Sequence, residues 1–133
     1  MNILPYMVYV EDDEEDREIF LEVTSSVGNM PVRFFDSGKE LLAFLKGETE
    51  LPCLVILDVQ NPVISGLETY NLLHADEHFK ELPVIFFSSS VNIPDKDKYR
   101  SDHTQFIEKP SDYKEWISLS VKLKEYCEKV VKY

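Results

Sequence analysis

The sequence predicts a doubly wound α/β domain, a five-stranded parallel sheet with helices on both faces, and three observations carry that reading. Five short apolar runs alternate with stretches of helical periodicity, the order that builds successive strand–helix units. Two of the runs, Leu54–Leu57 and Val84–Phe87, show no polar alternation, as expected of strands buried on both faces of a parallel sheet. The 133 residues match one domain at about 100–200 residues each. Residues 1–133 are therefore read as a single domain, able to bury about two-thirds of its unfolded surface.

The first strand is Tyr6–Val10, a β-rich run that stops abruptly at acids. The helix after it is marked by Ile19, Phe20, Val23 and Val27 on one face. Val32–Phe35 is the second strand. Its helix carries Leu41, Leu42, Phe44 and Leu45 behind Ser37, an N-cap with Glu40 three residues on. Leu54–Leu57 is the third strand, followed after Gly66 by a face of Leu67, Tyr70, Leu73 and His74. Val84–Phe87 is the fourth. The stretch after it, from Asn92 to Asp102, holds Pro94, many charges and few apolar residues, so any helix there is short and exposed. Thr104–Ile107 is a weaker fifth strand. A long last helix from about Ser111 to Val131 follows, with Trp116, Leu119, Leu123, Tyr126 and Val130 in one stripe. That stripe is read as core or frayed terminus in preference to a homodimer surface, which stays as the alternative.

Acids outnumber bases 25 to 14, for a net charge of −11. Such a balance argues against nucleic acid and anionic membrane as partners, because both call for a basic surface; it suits a protein that holds cations or docks on basic partners. The longest near-apolar stretch, Ile3–Val10, falls far short of the roughly 20 residues of a spanning helix, and no signal peptide pattern is present. A cytoplasmic protein is expected. Cys53 and Cys127 follow no metal or redox spacing and read as two separate, half-buried thiols.

Ligands of doubly wound sheets sit beyond the carboxyl ends of the strands, where strand order reverses, so the residues that follow each strand decide the function. After the first come Glu11 to Asp16, six acids without a break. Capping a helix N-terminus explains one or two of them. Acids packed at the end of a buried strand repel unless a cation offsets them, and a hard divalent ion such as Mg²⁺ is the natural partner. Asp58 follows the third strand, Ser88-Ser89-Ser90 the fourth, and Glu108-Lys109-Pro110 the fifth. Each alone has an ordinary reading as a turn, cap or surface charge. Gathered at one sheet end they offer a carboxylate nucleophile, a metal site and donors for phosphoryl oxygens, the requirements of phosphoryl transfer. No P-loop pattern is present.

The set Val10-Glu11-Asp12-Asp13, the D-x-x-x-P-x-x-x-G run from Asp58 to Gly66, the P-V-I-F-F-S-S run from Pro83 to Ser89, and Lys109-Pro110 resembles the receiver domain of two-component response regulators, over essentially the whole chain. The resemblance implies a flavodoxin-like (βα)5 fold with strand order 2-1-3-4-5. It implies Asp58 as phosphoacceptor and a Mg²⁺ site made by Glu11, Asp12, Asp58 and the carbonyl of Gln60. Ser88 would be the switch hydroxyl, Ser89 a backbone donor to the phosphoryl group, Phe106 the aromatic switch, and Lys109 the phosphoryl-binding lysine. A cis peptide before Pro110 and tuning of dephosphorylation by Gln60 and Ser90 are implied as well. The chain departs from the pattern at Asn61, where an apolar residue is usual, and at Ser101-Asp102, where a Gly-Ala pair is expected.

The expected function is a stand-alone response regulator, not a turnover enzyme. It would take phosphate from a histidine kinase or phosphotransfer protein and act on an unidentified output protein by contact. A receiver-like module that is never phosphorylated is one alternative; against it, the acceptor Asp, the acids and the Lys are all kept. A Mg²⁺-dependent phosphohydrolase is another; it would want a second acid two residues after Asp58, where Gln60 stands.

Overall fold

In the computed structural model, residues 2–28, 30–59, 65–88 and 96–130 are described. The elements run β1 (Asn2–Val10), α1 (Glu14–Ser26), β2 (Val32–Phe35), α2 (Gly38–Lys46), β3 (Glu50–Asp58), α3 (Gly66–His74), β4 (Val84–Ser88), a 3₁₀ turn (Lys96–Tyr99), β5 (Thr104–Glu108) and α4 (Tyr113–Val130). The five strands form one sheet in the order β2-β1-β3-β4-β5, all neighbours parallel. Fold class and strand order are therefore as expected. The strand order reverses between β1 and β3, which lie side by side.

Alternating side chains of the strands divide between two cores. Met7, Tyr9, Leu54, Ile56 and Phe87 face α1 and α4, joining Phe20, Val23, Trp116 and Leu123. Val8, Val10, Val55, Leu57 and Phe86 face α2 and α3, joining Leu41, Leu45, Tyr70 and Leu73. With both faces covered, β3 is buried from Leu51 to Asp58 and β4 throughout, which is why their sequences lack alternation. The edge strand β5 is only half-buried.

Helix starts follow their caps. Ser37 accepts from the Glu40 N–H at 3.3 Å, and Glu40 reaches back to the Asp36 N–H at 3.0 Å. Ser65 caps α3 through the Glu68 N–H. Where a fourth crossover helix was weakest in the sequence, the described residues hold only the 3₁₀ turn, with Tyr99 packed inward.

One expectation is overturned. Cys53 and Cys127 are fully buried and joined as a disulfide, with Cα atoms 5.2 Å apart, within the range such a bond bridges. Cys53 lies on the β3 face that α4 covers, and Cys127 lies in the buried stripe of α4. Sheet–helix packing brings them together across 74 residues of sequence, a proximity no local spacing rule records. No helix among the described residues is long and apolar enough to cross a membrane.

Candidate functional site

Strand register brings the carboxyl ends to a common edge. Val10 pairs with Leu57, Asp58 with Phe87 and Ser88 with Glu108, so Glu11, Asp58, Ser88 and Lys109 emerge side by side. Glu11 is held there by its N–H, which donates to the Phe35 carbonyl at 3.0 Å. Lys109 is held by its own N–H to the Ser88 carbonyl at 2.8 Å.

The centre of the site is the Lys109 ammonium. It donates to Glu11 Oε2 at 2.9 Å, Asp16 Oδ2 at 2.8 Å and Asp58 Oδ2 at 3.0 Å. Glu11 is almost completely inaccessible and Asp58 is buried. Glu11 also receives the Tyr9 hydroxyl on Oε2 at 3.2 Å and the Asp13 N–H on Oε1 at 3.1 Å. Burial, and after it the facing Asp58 carboxyl, push Glu11 up to about 7, against the opposing pull of Lys109 and the Asp13 N–H. Burial alone would lower Lys109. The bonds to Asp16 and Glu11 and the Asp58 charge outweigh it and hold the ammonium above its ordinary range. Tyr9 is raised first by burial and then by the Glu11 charge, so its hydroxyl stays a donor.

The six-acid run, continuous in sequence, is divided by structure. Glu11 turns inward. Asp13 is the N-cap of α1, accepting from the Glu15 and Asp16 N–H groups at 2.9 and 3.2 Å. Asp12, Glu14 and Glu15 are exposed. Asp16 returns to the site on the first turn of the helix. Reading the sequence for ligands missed Asp16, although a signal was present: it precedes Phe20 by four residues and Val23 by seven, and so extends the buried stripe of α1 towards the sheet edge. Arg17 was missed too. Its guanidinium donates to the Glu11 carbonyl and pairs with Asp36 after β2, tying the β1 and β2 ends to α1.

Ser88 is buried at the end of β4. Phe106 is half-buried in β5 and stacks on Phe86 with ring centroids 4.6 Å apart. Gly66 explains the glycine of the D-x-x-x-P-x-x-x-G run: a Cβ there would stand 2.7 Å from the Asp58 carbonyl oxygen. The start of α3 can sit directly behind Asp58 only without a side chain. Gln60, Ser89 and Ser90, together with Asn61, lie outside the described residues.

The expected cis bond is corrected. No peptide among the described residues is cis, so Lys109–Pro110 is trans. With its amide on Ser88, Lys109 continues the β4–β5 pairing. Its long flexible stem brings the ammonium to Asp58 from there, so the trans form, favoured by about 0.5–1 kcal/mol before proline, suffices.

Three carboxylates surround one ammonium, an excess of negative charge in a largely buried pocket. Hard oxygen donors and a Glu11 carboxyl that retains its proton to about 7 fit a hard divalent cation, which would take the place of that proton.

A family model described as "Response regulator receiver domain" matches residues 7–119. The "Polar-differentiation response regulator DivK" of Brucella ovis is 30% identical over 105 residues, 78% of this chain and 83% of that protein. Among solved structures, a two-component response regulator from Legionella pneumophila superposes with TM-score 0.75 at 27% identity, covering 92% of this chain and 99% of its own. The Mn²⁺-bound form of response regulator Rcp1 superposes with TM-score 0.74 at 19% identity, covering 94% and 93%.

Proposed function

The chain belongs to the response regulator receiver family, and from that premise we propose that it accepts a phosphoryl group on Asp58 from a histidine kinase or phosphotransfer protein. The observation that carries the reading is the Lys109 ammonium, 3.0 Å from Asp58 Oδ2 and 2.9 Å from Glu11 Oε2, at the sheet edge where strand order reverses.

In the transfer, an Asp58 carboxylate oxygen attacks phosphorus in line. The bond from phosphorus to the donor atom breaks, and its electron pair leaves with the donor, which takes up a proton from solvent. Lys109 stays charged throughout and turns its N–H groups to the phosphoryl oxygens. The Ser88 hydroxyl and the Ser89 N–H are proposed as further donors. Glu11, Asp12, Asp58 and the Gln60 carbonyl would hold a Mg²⁺ ion, which when bound would neutralise phosphoryl charge; the Mn²⁺ of the Rcp1 structure accords with a divalent ion in this fold. Ser88 drawn towards the phosphoryl group leaves room for the Phe106 ring, which carries no hydroxyl to be left unsatisfied when it moves inward. Gln60 and Ser90 would then tune hydrolysis by placing the attacking water.

The signal passes on by protein contact, in the cytoplasm, where disulfides are seldom kept; there Cys53 and Cys127 close only under oxidation. Intact-mass analysis after incubation with acetyl phosphate and Mg²⁺ tests the reading. Wild type should gain one phosphoryl group, and neither Asp58→Asn nor metal-free wild type should. An unmodified wild type, or a modified Asp58→Asn, refutes it.

A further inference from the structure

We propose that Asp16 is a positioning residue that competes with the phosphoryl group for Lys109, and so sets how tightly the acceptor site holds it. The proposal rests on the phosphoacceptor reading of Asp58 and deepens it.

An ammonium group has three donors, and those of Lys109 are matched by three carboxylates at 2.8–3.0 Å. A phosphoryl oxygen arriving at Asp58 can gain a Lys109 bond only if one partner gives way. Glu11 is the costly one to release. It is buried and pinned by the Tyr9 hydroxyl and the Asp13 N–H as well, so losing Lys109 takes a charge-assisted bond from a group that water cannot reach. The Asp58 contact sits on the carboxylate that takes up the group and passes over to it. Asp16 differs from both. Its side chain is 26% exposed, it stands on the first helical turn, and water can replace Lys109 as its partner at little cost. Asp16 is thus the exchangeable hand of the lysine. Its charge also opposes an anion arriving beside it.

Removing the Asp16 charge should therefore strengthen binding, the opposite of what loss of a structural contact does. The probe is beryllofluoride with Mg²⁺, a phosphoryl mimic that binds without group transfer, titrated into the whole chain by intrinsic Trp116 and Tyr fluorescence or by NMR. Asp16→Asn should tighten binding about three- to tenfold, the scale of a partly exposed charge-assisted contact. Glu15→Gln removes an equal charge from the same exposed turn and should change affinity less than about twofold. In the mimic-free protein, the Lys109 Nζ hydrogens should exchange with solvent faster in Asp16→Asn than in wild type, because an amide oxygen holds an ammonium less tightly than a carboxylate does. Asp16→Asn binding no tighter than wild type, or Glu15→Gln tightening it equally, overturns the inference alone. Wild type that takes neither beryllofluoride nor a phosphoryl group overturns the phosphoacceptor reading, and the inference with it.

Discussion

The carboxyl ends of β1 and β3 and those of β4 and β5 share one sheet edge but are built from opposite materials. At the first pair, buried carboxylates are backed by a fully packed aromatic cluster: Tyr9 lies between Phe20 and Phe87, with ring centroids 4.9 and 5.4 Å away, and α1 and α4 close over it. At the second pair, Phe106 is half-buried and stacked on Phe86, and among the described residues the crossover between β4 and β5 supplies a 3₁₀ turn with Tyr99 packed inward. The buried charge is backed by side chains that are themselves fully buried and in mutual contact. The ring proposed to change position lies where repacking costs little. The difference matches the division proposed above between an acceptor half and a signalling half of one small sheet.

The sharpest way to break the comparison is to empty each half in turn. Tyr9→Ala opens a cavity in a cluster that cannot collapse, and should cost about 3–5 kcal/mol. Phe106→Ala removes a ring of similar size from a half-buried position on the edge strand and should cost about 1–2 kcal/mol, since less burial is lost. Urea unfolding of both variants measures the gap. Equal losses would mean that β5 is packed as firmly as β1, and that the signalling half has no special freedom.

Sequence made some of this arrangement plain and hid the rest for physical reasons. Unalternated runs at Leu54–Leu57 and Val84–Phe87 exposed the two central strands, because double-sided burial leaves no polar position. Glu11, Asp58 and Lys109 were legible because each stands at or just past the end of a strand, and strand ends are where such sheets place their chemistry. Asp16 was hidden because its part depends on the phase of α1, which is set by the cap at Asp13. The Cys53–Cys127 pair was hidden because it depends on how α4 lies across β3. The isomer at Pro110 turned on how far a lysine side chain reaches, which a pattern of residue types does not encode.

A second prediction uses pH to separate the halves. Glu11 keeps its proton in the folded protein to about 7, whereas the unperturbed carboxyl releases it near 4.5. Between those values the folded state binds more protons than the unfolded one, so stability falls as pH rises through the window. The loss should be of order 3 kcal/mol in metal-free buffer, fully present above the window and absent below it. Glu11→Gln should remove most of that slope. Glu108→Gln, at the exposed end of β5, should leave it intact. Denaturant midpoints measured below and above the window decide this. A slope unchanged in Glu11→Gln would place the titrating group elsewhere.

The smallest effect expected is that of one hydroxyl, and it sharpens the same point. Tyr9→Phe keeps the ring contacts with Phe20, Phe34 and Phe87 and deletes only the donor to Glu11 Oε2. The cost should be about 0.5–1.5 kcal/mol, because Lys109 still serves that oxygen. Its direction matters more than its size. A hydroxyl that donates to a carboxylate favours the charged form, so without it Glu11 should hold its proton to higher pH, and the stability window should extend upward by a fraction of a unit. Carbon-detected NMR titration of the Glu11 carboxyl reads that shift directly. A downward shift would mean that the Tyr9 hydroxyl opposes ionisation, and that the aromatic cluster supports Glu11 by packing alone.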